Sequence, residues 1–351
     1  MSKEKVRVGI IGTAFAGGFH LRAYKQLPHV EIVAAADMNA KRLNEFCSLN
    51  NIPNRHEDFR QLLKQKDIDM VSICVPNFLH AKAAIAAANA GKHIVCEKPL
   101  ATNLKDAEKM LKSANDNKVK LMYAEDWAYA PASIRAREIC NEGGIGDILY
   151  MHTIESHSGS HSMFAQKVSL CGGGALIHLG IHGIGCMRTF IDKKVQSVIG
   201  KTTGGLNKNL LHKKLEGEDW ACAILTFVDG RVAIIEGNYV TFGGLNDCIE
   251  IYGNKGNIKV NLSRSSPLSV YSLEGYSYAV EKAETTKGWT FPAVEEEWQL
   301  GYWKEIAMFV DCVRFNQAPP RGLSGEDGFE TLRIAMAIYE SEKKGKEIKL
   351  K

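Results

Sequence analysis

The 351-residue chain has little that would point to a secreted, membrane or nucleic-acid-binding protein. Its nine cysteines are odd in number, scattered and without a CxxC pair. This argues against a disulfide framework and for free thiols in a reducing, cytoplasmic setting. No stretch approaches the roughly 18 apolar residues of a membrane span. The opening "MSKEKVRVGIIG" has too short an apolar run for a secretory signal, shows no cleavage signature, and reads as a strand. Lys and Arg exceed Asp and Glu by only four, 44 against 40, with no long basic block. Neither nucleic acid nor an anionic membrane is therefore demanded as a partner. Internal repeats and low-complexity segments are also lacking.

What remains is an ordinary globular composition, 45% hydrophobic and 24% charged, on a chain long enough to predict two domains. Through about residue 126, short apolar runs alternate with amphipathic segments. "VRVGIIG" is followed by "GFHLRAYKQL" and "VEIVAAAD" by "AKRLNEFCSLN", and the rhythm continues through "DMVSICVP", "HAKAAIAAANAG", "HIVCEKP", "LKDAEKMLKSANDN" and "KLMYAED". Such βαβ repetition predicts an α/β fold with a doubly wound parallel sheet over residues 1–126. Over residues 127–351 the runs become strand-like: "DILYMHTIESHS", "VQSVIGKTT", "WACAILTFV", "RVAIIEGNYV", "CIEIYGN" and "GNIKVNL". Turn signals at Asp229-Gly230 and Asn254-Lys255-Gly256 separate several of them. The final helices, from "EEEWQLGYWKEIAMFVDCV" and "GEDGFETLRIAMAIYESEKKG", are expected to pack back near the first domain. Exposed sheet edges predict a homo-oligomer, a dimer or tetramer.

The first strand-to-helix turn reads "GTAFAG", Gly12 to Gly17. In a GxGxxG fingerprint the first glycine makes the turn, the second admits the pyrophosphate, and the third packs helix on strand. Here Ala14 replaces the middle glycine, so a methyl must fit beside the phosphates and Phe15 follows it. Twenty residues beyond Gly17, Asp37 ends the second strand where a carboxylate receives the ribose hydroxyls of NAD. The competing reading is that Asp37 merely caps the next helix. Lys41 and Arg42 stand near enough to attract a 2′-phosphate, which leaves NADP open. The turns "CVPNFLH", with Pro76, Asn77 and His80, and "CEKPL", with Glu97 and Lys98, follow buried strands and face the same crevice. A lysine there can work near its pKa, with the glutamate orienting it and Pro99 setting the turn.

These features resemble the glucose–fructose oxidoreductase, inositol dehydrogenase and MocA (Gfo/Idh/MocA) family. The likeness runs from "VGIIGTAFAG" through "AAADMNAKR", "VSICVPNFLHAKAAIAAANAGKHIVCEKPLATN" and "GGGALIHLGIHGI" to "EIAMFVDCVRFNQAPPRGLSGEDGFETLRIAMAIYESEKKGKEI". It implies a Rossmann domain followed by a substrate-binding and oligomerisation domain with a large, open, mostly antiparallel sheet. The implied reaction is hydride exchange between NAD(P) and a carbinol of a sugar, polyol or related cyclic compound. His182 matches the family's catalytic histidine and would handle the proton with Lys98.

The chain departs from the family pattern at three positions. His178 stands where many relatives are acidic, and Gly185 where another acid follows. Asp126 replaces a frequent asparagine, with Trp127 and Tyr129 as walls for a sugar ring. His178 and His182 lie four apart and are expected on one helical face. His157 and His161, from "ESHSGSH", are taken as further substrate ligands. His152, His157, His161, His178 and His182, with Glu155, also hold enough N and O donors for a zinc-type site, the minority reading, and no metal is expected. Clustered Gly180, Gly183 and Gly185 imply a close approach, by the first domain or by cofactor and sugar. Besides a dehydrogenase, two readings stay open: an NAD-retaining, redox-neutral eliminase acting through a keto-sugar, and a nucleotide sensor without chemistry.

Overall fold

The computed structural model describes residues 3–160, 162–263, 268–277, 280, 282–292 and 295–350. The chain divides into two compact units, Met1–Glu125 with Tyr302–Glu330, and Asp126–Gly301 with Thr331–Lys351.

The first unit opens with β1 (Val6–Ile11), α1 (Phe15–Lys25), β2 (Val30–Ala36), α2 (Ala40–Asn50), β3 (Asn54–His56) and α3 (Phe59–Leu62). It continues with β4 (Met70–Ile73), α4 (His80–Asn89), β5 (His93–Cys96), α5 (Leu104–Asp116) and β6 (Leu121–Tyr123). Every strand pair in this six-stranded sheet is parallel, in the order β3-β2-β1-β4-β5-β6. Strands covered on both faces read as apolar runs without alternation, and β4 and the end of β2 are buried throughout. The order reverses between β2 and β4, on either side of β1, which is the switch point where open α/β sheets take their ligands.

Three helices start on side-chain caps. Asn39, Asp58 and Asn103 accept the N–H groups of Arg42, Arg60 and Asp106 at the starts of α2, α3 and α5. Helix α1 differs, since Ala14 precedes it without a side-chain cap and its first turn holds no acidic residue.

The second unit begins with α6 (Asp126–Tyr129), α7 (Pro131–Asn141) and β7 (Ile148–Ser156). Helix α8 (Val168–Cys171) follows, then a π-turn over Leu176–Gly180 running into α9 (Ile181–Phe190). Strands β8 (Val195–Thr202), β9 (Trp220–Phe227), β10 (Val232–Asn238), β11 (Asn246–Gly253) and β12 (Asn257–Asn261) come next, with the hairpin β13 (Val270–Ser272) and β14 (Gly288–Thr290), and α10 (Glu296–Leu300). The chain then returns to the first unit with α11 (Tyr302–Arg314) and closes with α12 (Gly325–Lys344) and β15 (Ile348–Lys349). Gly301, at φ +105°, separates α10 from α11, because a Cβ there would stand 2.3 Å from the Asp126 carbonyl oxygen. Within the first unit α11 packs on α1, with Phe19 and Tyr302 meeting edge to face at 4.9 Å.

The large sheet runs β12-β11-β7-β10-β9-β8-β15 and is antiparallel except for the β7–β10 pair. One face carries Met151, Thr153 and Glu155 from β7 and Ala233, Ile235 and Gly237 from β10, all buried. The other face keeps Ile199 and Ile224 exposed. The stretch Val168–Phe190 is long and apolar enough to cross a membrane by length and composition, which corrects the expectation that nothing approaches a span; 83% of its apolar window is buried inside the fold.

Two of the glycines of this helix, Gly180 and Gly183, meet the sheet of their own unit. A Cβ on Gly183 would lie 2.2 Å from Thr153 Oγ1, and one on Gly237 would lie 2.7 Å from the Gly180 nitrogen. Gly180 and Gly183 thus seat the helix on β7 and β10 of its own unit, where a larger residue would push it off the sheet.

Candidate functional site

In the first unit the turn after β1 is shaped for close approach of another group. Gly12 has φ +99°, and a Cβ there would stand 2.3 Å from the Cys74 carbonyl oxygen. A Cβ on Gly17 would stand 2.1 Å from the Gly12 carbonyl oxygen, so α1 can start against the turn only with glycine there. Ala14 adopts extended geometry and Phe15 is exposed. With no side-chain cap, the first N–H groups of α1 are offered to an anion. Asp37 does not cap α2, which is Asn39's task. Its carboxylate takes the Thr13 N–H and hydroxyl, each at 2.9 Å, and the Asn39 N–H at 2.9 Å. Arg42 forks onto it at 2.7–3.1 Å. Burial raises the Asp37 pKa, but hydrogen bonds from Asn39, Thr13 and Arg42 outweigh it and hold the carboxyl below its usual value. Arg42 is thereby committed to Asp37. A diphosphate at the α1 start and a ribose at Asp37 fit these residues.

The two later turns are braced from within. His80 is buried, with Nδ1 2.8 Å from the Pro99 carbonyl and Nε2 2.9 Å from the Val75 carbonyl, which ties the two turns together. Burial pushes its pKa down, although those carbonyls pull it up. Asn77 is buried in the short 3₁₀ turn that Pro76 precedes. Glu97, also buried, accepts the Lys98 N–H at 3.1 Å and lies 3.0 Å from His20 Nε2. His20 continues through Ser72 at 3.0 Å to the Tyr24 hydroxyl at 2.7 Å. Lys98, half-buried, precedes a cis peptide bond to Pro99.

In the second unit, His178 and His182 are one turn apart but have different partners. His182 is 4% exposed, with Nδ1 3.2 Å from Asp126 Oδ1 and its ring stacked on Trp127 at 5.6 Å. Asp126 and Trp127 are buried with it, and Tyr129 lies under the Arg137 guanidinium. His178 Nδ1 meets the Tyr239 hydroxyl. Burial keeps that phenol protonated, its pKa pushed well up. His157 joins the same group, with ring centroids 5.3 Å from Tyr239 and 6.3 Å from His178, and its Nδ1 accepts the Gly159 N–H at 2.9 Å. His161 lies outside the described residues. The histidines weighed as one metal set are therefore divided. His152 points to the opposite, open face of the sheet, 3.7 Å from Glu250, which Lys259 also holds.

Four positions escaped the sequence reading. Besides His20, they are Glu218, Tyr239 and Asp247. Glu218, 5% exposed, accepts the N–H groups of Gly174 at 3.2 Å and Leu176 at 2.9 Å and the Tyr339 hydroxyl at 2.8 Å. It thus anchors the start of the histidine helix, and burial raises its pKa against those hydrogen bonds. Glu216, Glu218 and Asp219 fall within four positions, and no pattern marks Glu218 as the one that anchors the helix while Asp219, also buried, holds the preceding loop. Asp247 sits opposite Glu155 across the β7–β11 pair, both buried. Its carboxyl is pushed well up, by burial first and by Glu155 next, while His182 draws it down.

Known proteins share this architecture. Residues 6–125 match an oxidoreductase family described as an NAD-binding Rossmann fold, and residues 137–350 match the C-terminal alpha/beta domain of the same family. Levoglucosan dehydrogenase of Pseudarthrobacter phenanthrenivorans is 29% identical over 307 residues, covering 76% of each chain. Myo-inositol 2-dehydrogenase of Thermotoga maritima is 23% identical over 350 residues, 98% of each. The solved structure of GenD2 from gentamicin A biosynthesis, in complex with NAD, superposes with a TM-score of 0.91 at 21% identity, covering 100% of this chain and 98% of its own, a likeness of fold.

Proposed function

This chain belongs to the Gfo/Idh/MocA oxidoreductase family, and from that membership we propose that it oxidises a carbinol of a sugar or cyclitol with NAD as hydride acceptor. The observation that carries the reading is the buried His182, held by Asp126 and stacked on Trp127. With Asp126 on Nδ1, the ring proton sits on that nitrogen and the Nε2 lone pair is the one that accepts the hydroxyl proton. NAD, when bound, supplies the electrophilic carbon that receives the hydride. Lys98 relays the proton, while His178 and His157 orient neighbouring hydroxyls. Asp37, with Arg42 committed to it, favours NAD over NADP. The relatives named for levoglucosan and inositol support a cyclic polyol as substrate.

The first unit serves the cofactor, and the second serves substrate and subunit contacts. Exposed Ile199 and Ile224 on the open face of the large sheet support a homo-oligomer, and nine free cysteines support a reducing cytoplasm. The test is formation of reduced nicotinamide across free sugars, cyclitols and glycosides, with NAD and NADP, with and without chelator. Sustained NADH from one hydroxyl pattern, indifferent to chelator, is the expected result. Glycoside cleavage without net NADH would replace it with the redox-neutral eliminase, and binding of nucleotide with no chemistry on any substrate would replace it with the sensor.

A further inference from the structure

We propose that the substrate carries an anionic group, a carboxylate or phosphate ester, and that the second unit binds this group in the cavity walled by Tyr239, His212 and Lys214. The proposal rests on the dehydrogenase reading and adds a substrate class to it.

The cavity is about 570 Å³, which is room for a monosaccharide with a charged arm, and none of its described lining residues is a carboxylate. Lys213 and Lys214 reach it from the loop between β8 and β9, which is folded around two polar side chains. Asp219 accepts the N–H groups of Leu210, Leu211 and His212 at 2.7–3.0 Å. Asn209 Nδ2 lies within 2.9–3.2 Å of the carbonyls of His212, Leu215 and Gly217. Both lysines are exposed, yet their backbone is held in place, so little ordering remains for a ligand to impose. Lys213 Nζ donates to the Asn209 carbonyl, and Lys214 makes no ion pair among the described residues.

Carboxylates nearby are already engaged. Glu216 accepts the Val168 N–H at 3.1 Å, Glu284 accepts the Gly243 N–H at 3.2 Å, and the Ser158 hydroxyl donates to the Lys282 carbonyl at 3.4 Å. On the opposite wall, Gly159 has φ +126°, and a Cβ there would press on His212 Cε1 at 3.3 Å. His212 Nε2 donates to the Tyr239 carbonyl at 2.8 Å, so its Nδ1 can accept a substrate hydroxyl. Ser160 Oγ accepts the Ser162 N–H at 3.1 Å, so its own O–H remains to donate. Among the described residues, the lining of the cavity thus presents an ammonium and a hydroxyl donor and no carboxylate, which suits an anion. Tyr239 joins it to the histidine group, since its ring lines the cavity and its hydroxyl binds His178. A charged arm beside Lys214 would leave the substrate's hydroxyls toward His178.

The experiment measures equilibrium binding of D-glucuronate, D-glucose 6-phosphate and D-glucose to the NADH-loaded protein, which keeps phosphates out of the nucleotide site. The same titrations are run on Lys213→Gln/Lys214→Gln, alongside turnover with NAD. At least one charged sugar should bind about tenfold or more tightly than glucose, and whichever does so identifies carboxylate or phosphate. The double variant should lose about that factor, with NADH affinity unchanged, and added salt should narrow the difference. Equal binding of all three sugars, or a charged preference that survives the double substitution, would overturn the proposal. Turnover of neutral substrates with no preference for charge would remove this proposal and leave the dehydrogenase. Charge-dependent binding without NADH from any bound sugar would remove the dehydrogenase and leave the anion site.

Discussion

Two glycine-rich stretches, one in each unit, invite comparison. In the first unit Gly12 and Gly17 let α1 begin tightly against β1 with no side-chain cap, so the backbone N–H groups at its start are left for a ligand. In the second unit a Cβ on Gly174 would stand 2.1 Å from the Glu218 carbonyl oxygen, and one on Gly173 would stand 2.1 Å from the Tyr339 hydroxyl. There the protein's own carboxylate takes the N–H groups, through Glu218 on Gly174 and Leu176. One helix start therefore leaves its N–H groups open to an anion, and the other gives them to the protein's own carboxylate, which positions the residues that follow. Glycine alone does not say which.

The largest expected effect sharpens the roles of the two units in one reaction. His182→Ala and Lys98→Ala should each lower turnover by roughly 10² to 10⁴ while the protein still binds NADH, as read by cofactor fluorescence beside steady-state rates. Equal loss of cofactor binding would show that these residues hold structure rather than move protons. Gly174→Ala comes next. Its methyl meets the Glu218 backbone, which cannot swing away, so urea unfolding should show a loss of roughly 2–4 kcal/mol with unchanged NADH affinity in whatever remains folded. Gly12→Ala should instead weaken NADH binding; if both variants behave alike, the contrast between the stretches fails.

Asp37→Ser should free Arg42 and move preference from NAD toward NADP, on the order of tenfold in the ratio of kcat/KM. The smallest effect concerns His93, whose ring accepts the Lys120 N–H at 3.0 Å and whose pKa burial lowers to about 4. Its folded pKa lies below the unfolded value of 6.5, so the unfolded chain binds the extra proton between pH 6.5 and about 4. Stability should fall as pH drops through that window, and His93→Gln should flatten the slope of Tm against pH there.

The first unit was largely legible because its signals are local. Alternating runs forecast its strands and helices, and Gly12, Gly17 and Asp37 fall within one βαβ stretch. Even there His20 was hidden, since its link to Glu97 spans 77 positions. In the second unit the strands were legible from their alternation, but their pairing was not. The parallel β7–β10 match and the Asp247–Glu155 neighbours follow from register across long separations. The helix face expected to carry both histidines alike is wound as a π-turn through His178, so His178 reaches Tyr239 while His182 reaches Asp126.

The sequence by itself determined the fold class and the glycine turn after β1, because each depends on residues close in the chain, whereas Lys98 and His182 were singled out by the family resemblance. Tertiary structure alone decided which acid anchors the histidine helix, which side of the sheet each histidine faces, and which glycines serve packing. Those outcomes depend on which buried group finds a hydrogen-bond partner from a distant strand, and a buried polar atom without one costs too much for the fold to leave the choice open.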